Sequence, residues 1–144
     1  MVKAVFTYEM NEKETTNMMN DDHSYRRGDI YLANLDPFFG SEQGGTRPVL
    51  VLQNNTGNIF CPTLIVAPLT SRFWKKKSQP THCQLENVDG LGGPSTVLLE
   101  QIKTIDKRRV QKYIGKLHRS QMREVEDAME ISLGLRIAED VEAP

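Results

Sequence analysis

From Gly28 to Leu117 the chain alternates short apolar runs with clusters of Gly, Pro, Asn and Asp, spaced about ten residues apart as in small all-β domains. GDIYLANL alternates polar and apolar positions and predicts a first strand, ended by Asp36-Pro37. FFGSEQGG follows as a loop carrying two aromatics and three glycines. RPVLVLQN is almost unbroken in its apolar character, as a central strand buried on both faces requires, and NNTGN turns it. PTLIVAPLT predicts another such strand, SRFWKKKS a basic-aromatic loop, PTHCQLEN a strand and VDGLGGPS a glycine-rich turn. STVLLEQIKT predicts a further strand, Asp106 is placed to cap a short helical turn through DKRRV, and QKYIGKL predicts the last strand. The period then changes: Met122, Val125, Met129 and Leu133 fall on one face of a closing helix that Ser120 can cap. Short strands at regular spacing and a single helix predict a mainly β (α+β) domain built as a small barrel.

Residues 1–25 have little periodicity and read as an N-terminal extension; the folded domain spans 26–136 and residues 137–144 form a tail. A chain of 144 residues, 38% hydrophobic and 26% charged, fits one globular domain. The N-terminus lacks the apolar core of a signal peptide, and no apolar run is long enough for a membrane span. Cys61 and Cys83 form neither a metal spacing nor a disulfide framework, so a cytoplasmic protein with reduced thiols and no membrane partner is expected.

Charge sharpens this picture. Residues 26–118 hold 13 Lys and Arg against 7 Asp and Glu, whereas residues 1–25 sum to −3 and those from 119 onward to −4. A basic centre between acidic ends suits a polyanion. Within it, P-loop, G-x-G-x-x-G, H-E-x-x-H and C-x-x-C patterns are all missing, and the three histidines are scattered. What remains is arginine and hydroxyl chemistry. Arg47 lies between a Gly-Gly pair and an apolar strand, and Thr70 ends the next apolar strand, so adjacent strands would bring them to one rim of a barrel. A guanidinium is a rigid fork of donors suited to phosphate. The structural alternative for Arg47 is a salt bridge to Glu42 or Glu100, and for Thr70 an ordinary strand-end hydroxyl. In SRFWKKKS, Phe73 and Trp74 among four cations combine stacking with phosphate attraction, as in binders of single-stranded nucleic acid; a solvated basic loop is the alternative.

The runs RRGDIYLANLDPFFGSEQGGTRPVLVLQNNTGN, TLIVAPLTS, PTH, LLEQIKTIDKRRV and IGKL, with the closing helix, resemble the MazF/PemK-like toxins of bacterial toxin–antitoxin systems, over about Arg26 to Leu135. The resemblance implies a homodimer of SH3-like, or plasmid-toxin-like, barrels. It also implies a metal-independent endoribonuclease that cuts single-stranded RNA at short sequences. The products carry a 2′,3′-cyclic phosphate and a 5′-hydroxyl, and no cofactor is required. Carried over by motif, Arg47 and Thr70 are the catalytic pair. Phe39, Ser41, Glu42, Gln43, Thr46, Asn54 and Gln101 match positions lining the family's RNA groove, and Arg27 is placed to hold a phosphate. The group that takes the 2′-hydroxyl proton is left open, with Glu42 one candidate. A cognate antitoxin with an acidic, extended segment is the expected partner, and operator DNA is contacted only through that complex. The alternative within the same fold is a toxin or regulator that acts by binding protein, as topoisomerase-directed relatives do. The chain departs from the family in the twenty-five residues before its first strand and in the loop after Thr70, which leaves the target sequence open.

Overall fold

The structure is a computed structural model and describes residues 24–71 and 79–137. Residues 1–23 of the N-terminal extension, the basic-aromatic residues 72–78 and residues 138–144 of the tail lie outside the described residues. Seven strands form the scaffold: β1 (Asp29–Asn34), β2 (Thr46–Val51), β3 (Thr63–Thr70), β4 (His82–Leu85), β5 (Ser95–Leu98), β6 (Lys103–Asp106) and β7 (Val110–Lys116). A short helix α1 (Asn55–Phe60) follows β2, and α2 (Arg119–Ser132) closes the domain. All pairings are antiparallel, in the order β4-β5-β3-β2-β1-β7, with β6 also on β3. Because a 3-10 turn (Lys107–Arg109) joins β6 directly to β7, the path β6-β3-β2-β1-β7 begins and ends on consecutive strands and curls into the expected small barrel.

The unbroken apolar runs have two faces to fill, and two clusters fill them. Tyr31, Ala33, Leu35, Val49, Val51, Leu64, Val66 and Ile105 pack together on one face. On the other, Ile30, Leu50, Leu52, Ala67 and Leu69 meet Leu85, Val97 and Leu99, and α2 covers them with Met122, Val125 and Ala128. Alternate residues of β2 thus enter different cores, as the two-residue period of a strand demands. Tyr31, 1% exposed, donates its hydroxyl to the Asp29 carboxylate at 2.9 Å; burial first, and that hydrogen bond second, push its ionisation well above the ordinary tyrosine range.

Four elements differ from the sequence expectation. NNTGN is not a plain turn: Asn54 accepts a hydrogen bond from Gly57 N–H at 2.8 Å and starts α1. STVLLEQIKT breaks at a 3-10 turn over Leu99–Gln101 into β5 and β6, which pair at different places on β3. The closing helix starts from His118 rather than Ser120; the His118 N–H donates to Gln121 Oε1 at 2.8 Å, a reciprocal cap. Leu133 stands 57% exposed, and Ala128 occupies the buried stripe in its place. Asp106 does cap the turn at 107–109, accepting from Arg108 N–H at 2.8 Å. Among the described residues, no helix is long and apolar enough to cross a membrane.

Candidate functional site

The site arises where β2 and β3 part. Their ladder pairs Val51 with Val66, Leu50 with Ala67 and Val49 with Pro68, and goes no further. Pro48 and Pro68 sit at that end, and a proline has no N–H to give a ladder. The same register carried two residues on sets Arg47, near the start of β2, across from Thr70, the last residue of β3, on one face of the sheet. Between the parted ends lies an open cavity of about 930 Å3. Gln43, Thr46, Arg47, Thr70 and Ser71 line it from the strand ends; Leu91, Gly92, Gly93, Pro94 and Ser95 line it from the turn before β5.

The Arg47 side chain, half-buried, donates Nε–H to the Gly44 carbonyl at 2.8 Å. Among the described residues it forms no ion pair. Glu42 and Glu100, its expected alternatives, are engaged elsewhere. The Glu42 carboxylate accepts the Phe39 N–H at 2.6 Å within the loop's own turn. Glu100 meets His82 Nε2 at 2.9 Å and Thr81 Oγ1 at 3.3 Å. Held among the described residues through Nε alone, the guanidinium keeps both Nη groups for a ligand. Thr70 pairs with Thr96 of β5, which roots it in a strand on its other side.

The loop 36–45 is built around this arginine. Gln101 bridges it, accepting from Gln43 N–H at 3.4 Å and donating to the Ser41 carbonyl at 3.4 Å. Phe39 is 86% exposed at the loop's tip. Gln43, Thr46, Arg47 and Thr70 therefore share one cavity; Ser41, Glu42 and Phe39 belong to the loop beside it, and Gln101 holds that loop from the 3-10 turn after β5. Arg27 and Asn54 do not join them within one chain. They lie at the opposite end of the β1–β2 pair, where Arg27 donates Nε–H to Leu52 O at 3.0 Å and Nη1 to Glu126 at 2.7 Å, and Asn54 caps α1. The structural engagement of both follows from that position.

Sequence reasoning missed three features. The turn GLGGPS furnishes one lining of the cavity, and its density of glycine and proline was the available signal. His82, one of the scattered histidines, pairs with Glu100, 18 residues away, a relation that only the β4–β5 register creates. Arg109 donates Nη1 to the carbonyls of Asn34, at 3.1 Å, and of Asp36, which clasps the base of the loop. Among the described residues no group of three or more His, Cys, Asp or Glu side chains is arranged to hold a metal ion.

A curled β barrel backed by one helix, with an arginine and a threonine at the parted ends of two strands, defines a small plasmid-toxin-like domain. Residues 26–133 match the model of the PemK-like, MazF-like toxins of type II toxin–antitoxin systems, and the chain belongs to that family. MazF from Deinococcus radiodurans superposes with a TM-score of 0.68 at 29% identity, covering 78% of this chain and 99% of that one. The MazE–MazF complex of the same organism gives 0.63 at 28%, covering 80% and 100%. An endoribonuclease in complex with its cognate antitoxin, from a mycobacterial species, gives 0.65 at 24%, covering 79% and 99%, a likeness of fold.

Proposed function

We propose that this toxin is a sequence-specific, metal-independent endoribonuclease whose Arg47 and Thr70 act on a phosphodiester of single-stranded RNA. The observation that carries this reading is the meeting of Arg47 and Thr70 in one open cavity, with the arginine held, among the described residues, by Nε alone. In the reaction the substrate's 2′-oxygen attacks phosphorus, the bond to the 5′-oxygen breaks, the 2′-hydroxyl loses its proton and the 5′-oxygen gains one. The products are a 2′,3′-cyclic phosphate and a 5′-hydroxyl. RNA supplies its own nucleophile, so the protein's task is to position the phosphate and stabilise charge on it. The Nη groups of Arg47 face the non-bridging oxygens, and the Thr70 hydroxyl orients the phosphate. A guanidinium holds its proton at neutral pH, so its role is electrostatic rather than acidic.

Loop residues Phe39, Ser41, Glu42 and Gln43, with Thr46 at the start of β2 and Gln101 in the 3-10 turn, supply stacking and polar groups for unpaired bases. Arg27 and Asn54 reach RNA only where it extends beyond this cavity or where a second copy adjoins. A homodimer is part of the proposal: Ile59 and Phe60 on α1 and Leu133, Leu135 and Ile137 after α2 are each more than half exposed and give a second copy apolar surface to cover. A cognate antitoxin, as in the mycobacterial and Deinococcus complexes, would silence the toxin by occupying the groove.

The test is to incubate purified protein, in EDTA, with a mixed pool of long single-stranded RNAs and to sequence every new 5′ end. New 5′-hydroxyl ends sharing a short motif, lost with Arg47→Ala, are expected. No cleavage by folded, antitoxin-free protein would overturn the proposal in favour of a toxin that acts by binding protein.

A further inference from the structure

The two glycines before Arg47 are required for different reasons, and the difference points to a residue that positions the arginine. Gly45 has φ +76°, a left-handed conformation, but open space surrounds it. Gly44 is the reverse. Its φ lies outside the left-handed region, so its backbone admits alanine, yet a methyl there would overlap Cδ1 and Cγ of Phe38 and come within 2.7 Å of Cε1. The Phe38 ring thus lies directly on the Gly44 α-carbon, with its outer side in solvent; Phe38 is 54% exposed. It is the Gly44 carbonyl that accepts the Arg47 Nε–H at 2.8 Å.

From this stacking we infer that Phe38 is a positioning residue for Arg47. By resting on Gly44 it fixes the peptide whose carbonyl holds Nε, and so sets the direction in which the two Nη groups enter the cavity. A guanidinium is planar, so one fixed N–H orients the whole fork. An exposed aromatic ring in a loop would otherwise be an unfavourable use of a large apolar side chain. Here its inner face rests on a backbone position where any Cβ would force the ring to move. The inference rests on the ribonuclease reading for its catalytic consequence, whereas the Phe38–Gly44–Arg47 linkage is physical and measurable without substrate.

The experiment uses the full chain in four forms: wild type, Gly44→Ala, Phe38→Ala and the double variant. Two readouts are taken: cleavage kinetics on RNA carrying the selected motif, and proton exchange at the Arg47 Nε–H by NMR, assigned with Arg47→Lys. Gly44→Ala is expected to lower kcat by about tenfold or more, with KM changed less than about threefold, because the phosphate still binds but the fork is misdirected. Its Nε–H is expected to exchange at the rate of a solvated arginine. Phe38→Ala should lower kcat several-fold. The double variant, in which the added methyl finds room, should return to the Phe38→Ala level instead of multiplying the two losses. Gly44→Ala with wild-type kcat and a slowly exchanging Nε–H would overturn the inference, as would losses that multiply. If wild type cleaves no RNA, the nuclease reading fails alone, and the exchange rates still decide whether Phe38 and Gly44 hold Arg47.

Discussion

The Asp36 carboxylate accepts the Gly45 N–H at 2.7 Å, which ties the first residue of the 36–45 loop to its last. The Leu35 N–H, donated to the Gly45 carbonyl at 2.9 Å, doubles the tie, and Arg109 clasps the carbonyls of Asn34 and Asp36 from the 3-10 turn before β7. A loop closed at its base in this way can adjust at its tip, Phe39 to Gln43, without losing the strand register that places Arg47.

Arg109→Ala tests that division. The side chain is half-buried, but its hydrogen bonds lie at the surface and its partners can turn to water, so stability should change by less than about 1 kcal/mol, within the range of a surface hydrogen bond. RNA cleavage should fall by several-fold, because the loop base supports Arg47 at one remove. Urea denaturation and cleavage kinetics on the same preparation separate the two effects. A loss of stability as large as the loss of activity would mean that Arg109 serves the fold alone.

How far the sequence carried the reading is best seen in particular residues. Arg47 and Thr70 each stand where an apolar run meets polar loop residues, a pattern that left a salt bridge or a strand-end hydroxyl open, and it was the family motif that singled out both. Their opposition was not legible, since it depends on a β2–β3 register set by packing on two faces. LLEQIKT read as one strand because neither glycine nor proline marks the break at Leu99–Gln101. That break is imposed by the separate pairing of β5 and β6 on β3. Ala128 was overlooked in the helix stripe because alanine adds little to an apolar pattern, yet it is 4% exposed. Arg27 and Asn54 were placed with the site by motif, and the strand direction carries them to the other end of β1–β2.

Replacement of the two central side chains should separate charge from shape. Arg47→Lys keeps a cation but loses both the Nε contact to Gly44 and the fork, so kcat should drop nearly as far as in Arg47→Ala, by about 100-fold or more, the usual cost of losing an oxyanion donor. Thr70→Val keeps the β-branched strand end and should cost less, about tenfold, through loss of one hydrogen bond. Single-turnover cleavage measures both. Arg47→Lys with near wild-type kcat would show that charge alone suffices.

The two thiols should differ sharply in reactivity. Cys83 is 5% exposed, and burial, with the charge of Glu124 adding to it, pushes its pKa up to about 11, so the reactive thiolate is scarce at neutral pH. Cys61, at the end of α1, is partly exposed. Iodoacetamide at pH 8 should therefore modify Cys61 in the native protein and Cys83 only on unfolding, as peptide mass spectrometry would read. Equal labelling of both would contradict the packing of β4 against α2.

The turn at Gly90 packs its backbone closely against β7 at Gly115. A Cβ at Gly90 would collide with the Ile114 carbonyl oxygen, and one at Gly115 with that of Asp89; Gly90 also has φ +89°. No side-chain motion relieves a clash with backbone, so Gly90→Ala should destabilise the domain by more than about 2 kcal/mol, clash and strained φ acting together. The turn it anchors carries Gly92–Ser95, which line the cavity, so cleavage should fall in the same variant even where the protein remains folded. Thermal denaturation gives the first effect. A melting temperature equal to wild type would show that the 86–94 turn is not pinned to β7.

Tyr31 links the fold to alkaline pH with a definite sign. Its ionisation is raised in the folded state, foremost by burial and then by the hydrogen bond and charge of Asp29. The folded protein therefore keeps the phenol protonated where the unfolded chain, with an ordinary tyrosine pKa of about 10, has begun to release the proton. Below that value the contribution to stability is fully present. As pH rises above it, unfolding becomes coupled to proton release and the contribution is lost. Urea unfolding from pH 8 to 11 should show stability falling above about pH 10, near the ordinary tyrosine pKa. Tyr31→Phe should show a shallower fall, from a lower starting value, because Asp29, 7% exposed, then retains the Arg26 N–H at 3.0 Å without its phenol donor. Tyr25 and Tyr113 remain in both proteins, so the difference between the two profiles isolates Tyr31. Parallel profiles would mean that its hydroxyl is solvated in the folded state and that the Asp29–Tyr31 bond does not form.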